Sequence, residues 1–237
     1  MRTNHTPVPT AAANWQLFFQ KLLQEAPQKV GGLLLALLLY CILPLFGKLA
    51  LLNTPSMLIA MWACGLLFLI QPATDPEQTK SHSDKNSMWG IIAATTISQA
   101  SIVIEWAYFH TNHSWIFDAS VLAGLGLISV GLWIRTLAIY ELGPNFDNTV
   151  TIKGGHELIQ TGIYRYIRHG SYTGAILVGL GIGIMLSAWW GVAISVVALG
   201  LAYGYRIKHE EATLLAYFED EYRQYQKRTW KLIPFIF

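Results

Sequence analysis

Charged side chains are scarce in this sequence: they form 13% of its 237 residues, about half the usual share of a soluble domain, while 53% are apolar. That shortage excludes an ordinary water-soluble fold and places the chain in a bilayer. Cysteine is scarcer still. Cys41 and Cys64 lie in separate apolar runs, which excludes a disulfide framework and a metal-ligating spacing and leaves two small buried apolar residues. A cleavable signal peptide is not expected, since the first 14 residues are polar and the first apolar run is too long for a signal core. No internal repeat, low-complexity tract or dinucleotide fingerprint is visible. The formal charge of +2 says little about partners, and none is expected to be a nucleic acid.

What is present is a series of apolar runs near the length of about 20 residues that a helix needs to cross a membrane. They predict an all-α, polytopic membrane bundle of five to six helices at 30–52, 55–73, 88–109, 117–141, 171–187 and 190–206. The last two are short, joined only by Ala188 and Trp189, and read as a tight hairpin that need not cross fully. Residues 1–114 divide as an N-terminal interfacial helix plus membrane helices, and 115–237 as the region carrying chemistry. Of the Lys and Arg residues only Lys48 falls on the far side, so the face bearing 1–29, 74–87, 142–170 and the tail from 206 is expected to be cytoplasmic.

Trp15, Phe18, Phe19, Leu22 and Leu23 recur at helical spacing opposite Gln16, Gln20, Lys21, Gln24 and Glu25, which predicts an amphipathic helix lying in the interface before the first span. The stretch from Gln71 to Ser87, with Pro72, Asp75, Pro76, Glu77, Lys80, Asp84 and Lys85, reads as a solvated connection. Glu105, His110, His113 and Asp118 straddle a short turn at the opposite mouth and read as snorkelling polar ends, not a metal site.

Composition changes at Gly143. From there to Gly170 the chain is polar and rich in glycine, with His156, Glu157, Leu158 and Ile159 followed by Gly162, Tyr164, Arg165, Tyr166, Arg168 and His169 directly before an apolar helix. Facing lipid phosphates accounts for Arg165 and Arg168 but not for the histidines and tyrosines. Glycines among aromatic and imidazole side chains suit a nucleoside-bearing cofactor. Farther on, Arg206 and Glu210 stand one helical turn apart where the last apolar run stops, with Glu211 beside them. A surface ion pair there would contribute ~0.3–0.5 kcal/mol, and Arg before Glu is the less favourable order for one.

Asn145-Phe146, His156-x-Leu158-Ile159, Gly162-x-Tyr164-x-x-x-Arg168-His169-x-x-Tyr172-x-Gly174, Arg206-x-x-x-Glu210-Glu211-x-x-Leu214 and Tyr222-x-x-Tyr225 with Pro234 closely resemble the isoprenylcysteine carboxyl methyltransferase family, with much of the pattern shared by phospholipid N-methyltransferases. The resemblance covers roughly residues 140–237. It implies a cytosol-facing pocket for S-adenosylmethionine, formed by the loop and the C-terminal helix, with a tunnel admitting a lipid from the bilayer. By motif it implies cofactor contacts at His156, Glu157, Leu158, Ile159, Tyr164, His169, Gly170, Ser171, Tyr172 and Glu210, with Arg206 holding the substrate and Arg206 and Glu210 forming the catalytic pair. Glu211 belongs to the motif with a less certain role. The implied acceptor is a prenylated or other lipid-like carboxylate, in an endoplasmic reticulum or bacterial inner membrane.

Two departures from the family pattern stand out. Arg168-His169-Gly170 replaces Arg-His-Pro, which predicts a freer loop before the hairpin. Phe218-Glu219 replaces Phe-Gly, which predicts a helix running through where relatives bend. The rivals are N-methylation of an ethanolamine-type head group with Glu210 or Glu211 as base, a scaffold or transporter without catalysis, and, more remotely, a nicotinamide-dependent reductase.

Overall fold

The computed structural model describes residues 11–72, 85–143 and 158–233, with side chains for 15–72, 87–143 and 158–233. Six α-helices run through them: α1 (Ala11–Leu37), α2 (Pro55–Ile70), α3 (Lys85–Ile104), α4 (Ala119–Leu142), α5 (Gly170–Met185) and α6 (Trp189–Arg228). Helical turns extend α1 through Leu45 and α3 through Phe109. Four of these helical runs are long and apolar enough to cross a membrane, whereas α2 and α5, at 16 residues each, fall short of a ~30 Å hydrocarbon core. The chain is an integral membrane protein in which every described element is helical.

The interfacial segment and the first span are not two elements. Residues 15–25 run without a break into 30–37 within α1, with Pro27 inside the helix on its exposed side. Trp15 stacks on Tyr140 at the end of α4, with centroids 3.8 Å apart and planes at 2°, and Phe18 meets both rings edge-on. Much of the predicted connection after Gln71 lies outside the described residues.

The α5–α6 pair is joined by a short turn through Leu186, Ser187 and Ala188, as the sequence predicts, but the two helices do not pack chiefly on each other. α5 lies along α4, and α6 lies along α3. The α4–α5 seam closes at Gly131 and Gly174: a Cβ on Gly131 would lie 2.7 Å from the Gly174 carbonyl oxygen, and one on Gly174 would lie 2.6 Å from that of Gly131. Small residues let the backbones approach this closely, which is how helices associate where lipid supplies no hydrophobic drive.

Glu105 corrects the expectation of a snorkelling side chain. It is 8% exposed and accepts a hydrogen bond at 2.6 Å from the backbone N–H of Gly191, one of the donors that the start of α6 leaves without an intrahelical partner. Ser98 donates to Ser195 across the same seam at 2.6 Å. At this end too, the Lys48 ammonium donates to the Ala107 carbonyl at 2.7 Å, and His113 bonds the Trp106 carbonyl at 3.0 Å.

α6 runs past the apolar stretch to Arg228, but it does not run straight. Glu219 has φ 47° and ψ −115°, so the helix bends where the sequence predicts continuity. The bend of the family pattern survives the loss of its glycine, with Glu219 held in a conformation that costs a non-glycine residue about 1–3 kcal/mol.

Candidate functional site

Beyond the bend, the chain turns back on the segment before α5. The N–H groups of Arg168 and His169 donate to the carbonyls of Trp230 and Lys231 at 2.8 and 3.1 Å, and the Trp230 N–H donates to Tyr166 at 2.8 Å. Thr173 donates to the Leu232 carbonyl at 2.8 Å. This strap fixes the backbone on which His169 and Tyr172 stand, so Gly170 does not leave the loop free. Gly170 is the first residue of α5 and is packed near Ala138 and Ile163.

The strap also changes the reading of Arg168, which was expected to face lipid phosphates. Its side chain is 9% exposed and its Nε donates to Glu211 at 2.9 Å, while a terminal nitrogen donates to the Thr229 carbonyl. His169, 4% exposed, lies with Nε2 3.2 Å from Glu211 and Nδ1 3.7 Å from Glu210, and its ring stacks on Tyr172 with planes at 3°. The Tyr172 hydroxyl donates to Glu210 at 2.7 Å and accepts from Arg206 Nε at 3.2 Å. Arg206 is 3% exposed, and one of its terminal nitrogens donates to Ser87 on α3 at 2.9 Å. Arg206 and Glu210 are thus linked through a tyrosine hydroxyl at the N-terminal end of α5, in place of a surface ion pair along one helix.

Tyr164 is buried under this cluster, its carbonyl accepting from the Tyr225 hydroxyl at 2.7 Å. Burial pushes the Tyr164 phenol well above its usual value, and the Glu210 charge adds to the shift, so the phenol stays protonated. Glu211 lies beyond the apolar part of α6. Burial raises its carboxyl, but hydrogen bonds and charges from His169 and Arg168 outweigh that and hold it down at about 2. A carboxylate so strongly held is a poor proton acceptor near neutral pH. The Tyr222 hydroxyl, buried nearby, has no hydrogen-bond partner among the described residues, an arrangement that costs stability unless a ligand completes it.

Of the residues singled out from the sequence, the structure brings Tyr164, His169, Tyr172, Arg206, Glu210 and Glu211 together at the N-terminal end of α5 and the middle of α6. Gly162 turns the chain at φ 53°, where a side chain would collide with the Glu141 carboxylate. Leu158 and Ile159 are half-buried. His156, Glu157, Asn145, Phe146 and Pro234 lie outside the described residues. Ser171 faces α4: its carbonyl and hydroxyl both accept from Arg135, at 2.9 and 2.8 Å.

Arg135 itself was missed. It is 7% exposed among the helices, with one terminal nitrogen also donating to Gln71 at 2.9 Å and its Nε without a partner among the described residues. A lone arginine inside an apolar run was the available signal. Ser87, a small polar residue at the edge of a loop, gave none.

The model of the isoprenylcysteine carboxyl methyltransferase family matches residues 124–216. The protein-S-isoprenylcysteine O-methyltransferase of Schizosaccharomyces pombe is 33% identical over 125 residues, 52% of this chain and 53% of the relative. That of Saccharomyces cerevisiae is 32% identical over 115 residues, 48% of each chain. The chain thus spans about half the length of these curated relatives. A solved structure of the eukaryotic intramembrane Ras methyltransferase ICMT superposes with a TM-score of 0.60 over 96% of this chain and 88% of that one at 22% identity, a likeness of fold. Residues 124–216 are thus the segment that resembles the isoprenylcysteine carboxyl methyltransferase family, and the likeness to the solved structure extends the shared fold over most of the chain.

Proposed function

We propose that this protein transfers a methyl group from S-adenosylmethionine to the carboxylate of a lipid-like acceptor of the isoprenylcysteine type, forming a methyl ester. The observation that carries the reading is the buried chain from Arg206 through Tyr172 to Glu210 and His169, which sets a cation for the acceptor beside two carboxylates and stacked rings. The donor set fits the cofactor: Glu210 and Glu211 can accept from its amino and hydroxyl groups, aromatic faces suit its positive charge, and the open Tyr222 hydroxyl offers a donor.

S-adenosylmethionine supplies a methyl group on a positively charged sulfur. The acceptor's carboxylate oxygen would take that methyl group, with a neutral thioether as the leaving group. The acceptor is already ionised at neutral pH, so no base is required. It does require a cation to hold it in line, and a buried guanidinium does this with two parallel hydrogen bonds. Tyr172 orients Arg206 and Glu210 against each other, and burial keeps water from the reacting atoms. Glu211, held ionised by His169 and Arg168, gives little support to the rival in which it deprotonates an ammonium. The distribution of Lys and Arg favours a cytoplasmic face for the site.

The test is calorimetric binding of S-adenosylmethionine to purified protein, followed by methylation of prenylated carboxylates and ethanolamine-type amines. Binding should fall by tenfold or more in Tyr164→Ala, His169→Ala and Glu210→Ala and persist in Arg206→Ala, which should lose methylation. No binding by the wild type would leave a non-catalytic scaffold, and methylation of the amine alone would move the reading to an N-methyltransferase.

A further inference from the structure

Arg206 is held from two sides. On one side its Nε meets Tyr172, which leads to Glu210 and His169; on the other a terminal nitrogen donates to the Ser87 hydroxyl at 2.9 Å. Ser87 is 2% exposed, sits in the first turn of α3 and is 119 residues distant from Arg206 in sequence. It lies outside the segment 124–216 that matches the family model.

Ser87 also marks the end of a cavity of about 800 Å³ between α3 and α6, lined farther out by Gly90, Ala94, Ile97, Val197 and Leu201. The Tyr172 side of the guanidinium thus leads into the cluster of carboxylates and rings, and the Ser87 side leads to apolar space open along two membrane helices. A guanidinium is planar, so fixing Nε and one terminal nitrogen fixes the direction of the whole fork.

We propose that Ser87 is a positioning residue that turns the Arg206 guanidinium toward the α3–α6 cavity, so that the acceptor's carboxylate is held where its apolar chain enters. This rests on the reading of Arg206 as the acceptor's cation. A helix outside the family segment then completes the acceptor site, and the methyl-transfer geometry depends on α3 standing correctly against α6.

Steady-state methylation of a prenylcysteine by the full chain in nanodiscs, alongside calorimetric binding of S-adenosylmethionine, tests this. Removing one hydrogen bond to a charged group corresponds to about 10- to 100-fold. Ser87→Ala should lower kcat about tenfold or more while cofactor affinity stays within twofold, and Ser87→Thr, which keeps the hydroxyl, should recover most of the rate. Should the alanine variant fail to accumulate, the isosteric Ser87→Cys, a weaker acceptor, should fold normally with an intermediate kcat. Wild-type kcat in Ser87→Ala or Ser87→Cys overturns the proposal, as does an equal loss of cofactor affinity with no rescue by threonine. A wild type that methylates no carboxylate fails the proposed function itself, whereas wild-type kcat in the Ser87 variants fails only the role of Ser87.

Discussion

The α4–α5 pair is closed backbone to backbone at Gly131 and Gly174, whereas the α3–α6 pair comes as close only at one end, where a Cβ on Gly191 would lie 2.6 Å from Ile102 Cα, and is flanked by a cavity toward the end where Arg206 donates to Ser87. Both contribute to the same site, α5 through His169's neighbour Tyr172 and α6 through Arg206 and Glu210. The difference teaches that position and access are assigned to different seams. The α4–α5 seam fixes where the ring cluster stands, and the α3–α6 seam carries the cavity along which, in the proposed function, an apolar chain would approach Arg206.

The comparison breaks most severely at the glycines. Gly131→Leu or Gly174→Leu should destabilise by about 3 kcal/mol or more, because the new side chain meets backbone that cannot move aside. Thermal unfolding in detergent would register this, and Gly200→Leu on α6, which has nothing within 4 Å, should stay within about 0.5 kcal/mol. Next comes the polar end of the other seam. Glu105→Ala leaves the Gly191 N–H unmet and should destabilise by about 1–2 kcal/mol, with Glu105→Gln recovering most of it.

A smaller effect of opposite sign is expected at the bend of α6. Glu219→Gly should raise stability by about 1 kcal/mol, since glycine adopts positive φ without the steric cost of a side chain. An unchanged or lower unfolding temperature would mean that the bend is not strained. The smallest effect lies at the start of α5, where a Cβ on Gly170 would find only ordinary contacts at 3.5 Å. Gly170→Ala should stabilise by about 0.4–1 kcal/mol through the unfolded chain, with cofactor affinity unchanged if the strap already holds the loop.

Much of this was legible in the sequence, because apolar runs report helices directly and a motif at fixed spacing reports its own neighbourhood. The spans, the short hairpin turn and the meeting of His169, Tyr172, Arg206 and Glu210 follow from these two signals. What escaped depends on contacts between residues far apart in the chain. Glu105 looked like a polar end until α6 placed Gly191 over it, and Arg168 looked like a lipid contact until Thr229 folded back on it. The interfacial helix and the first span read as two elements, yet α1 runs through both with Pro27 inside it. Glu219 misled in the other direction. Its side chain favours a helix, and the tertiary requirement to bring Tyr222 and Tyr225 beneath Tyr164 overrides that local preference.

The strap also sets an order of events during synthesis. Arg168 and His169 leave the ribosome some sixty residues before Thr229, Trp230 and Lys231, so α1 to α5 can enter the membrane while their motif still lacks its backbone partners. The ring cluster can be locked only after α6 has been made and has bent back. A nascent chain stalled between these points would hold its helices in the bilayer but would not yet present an assembled site.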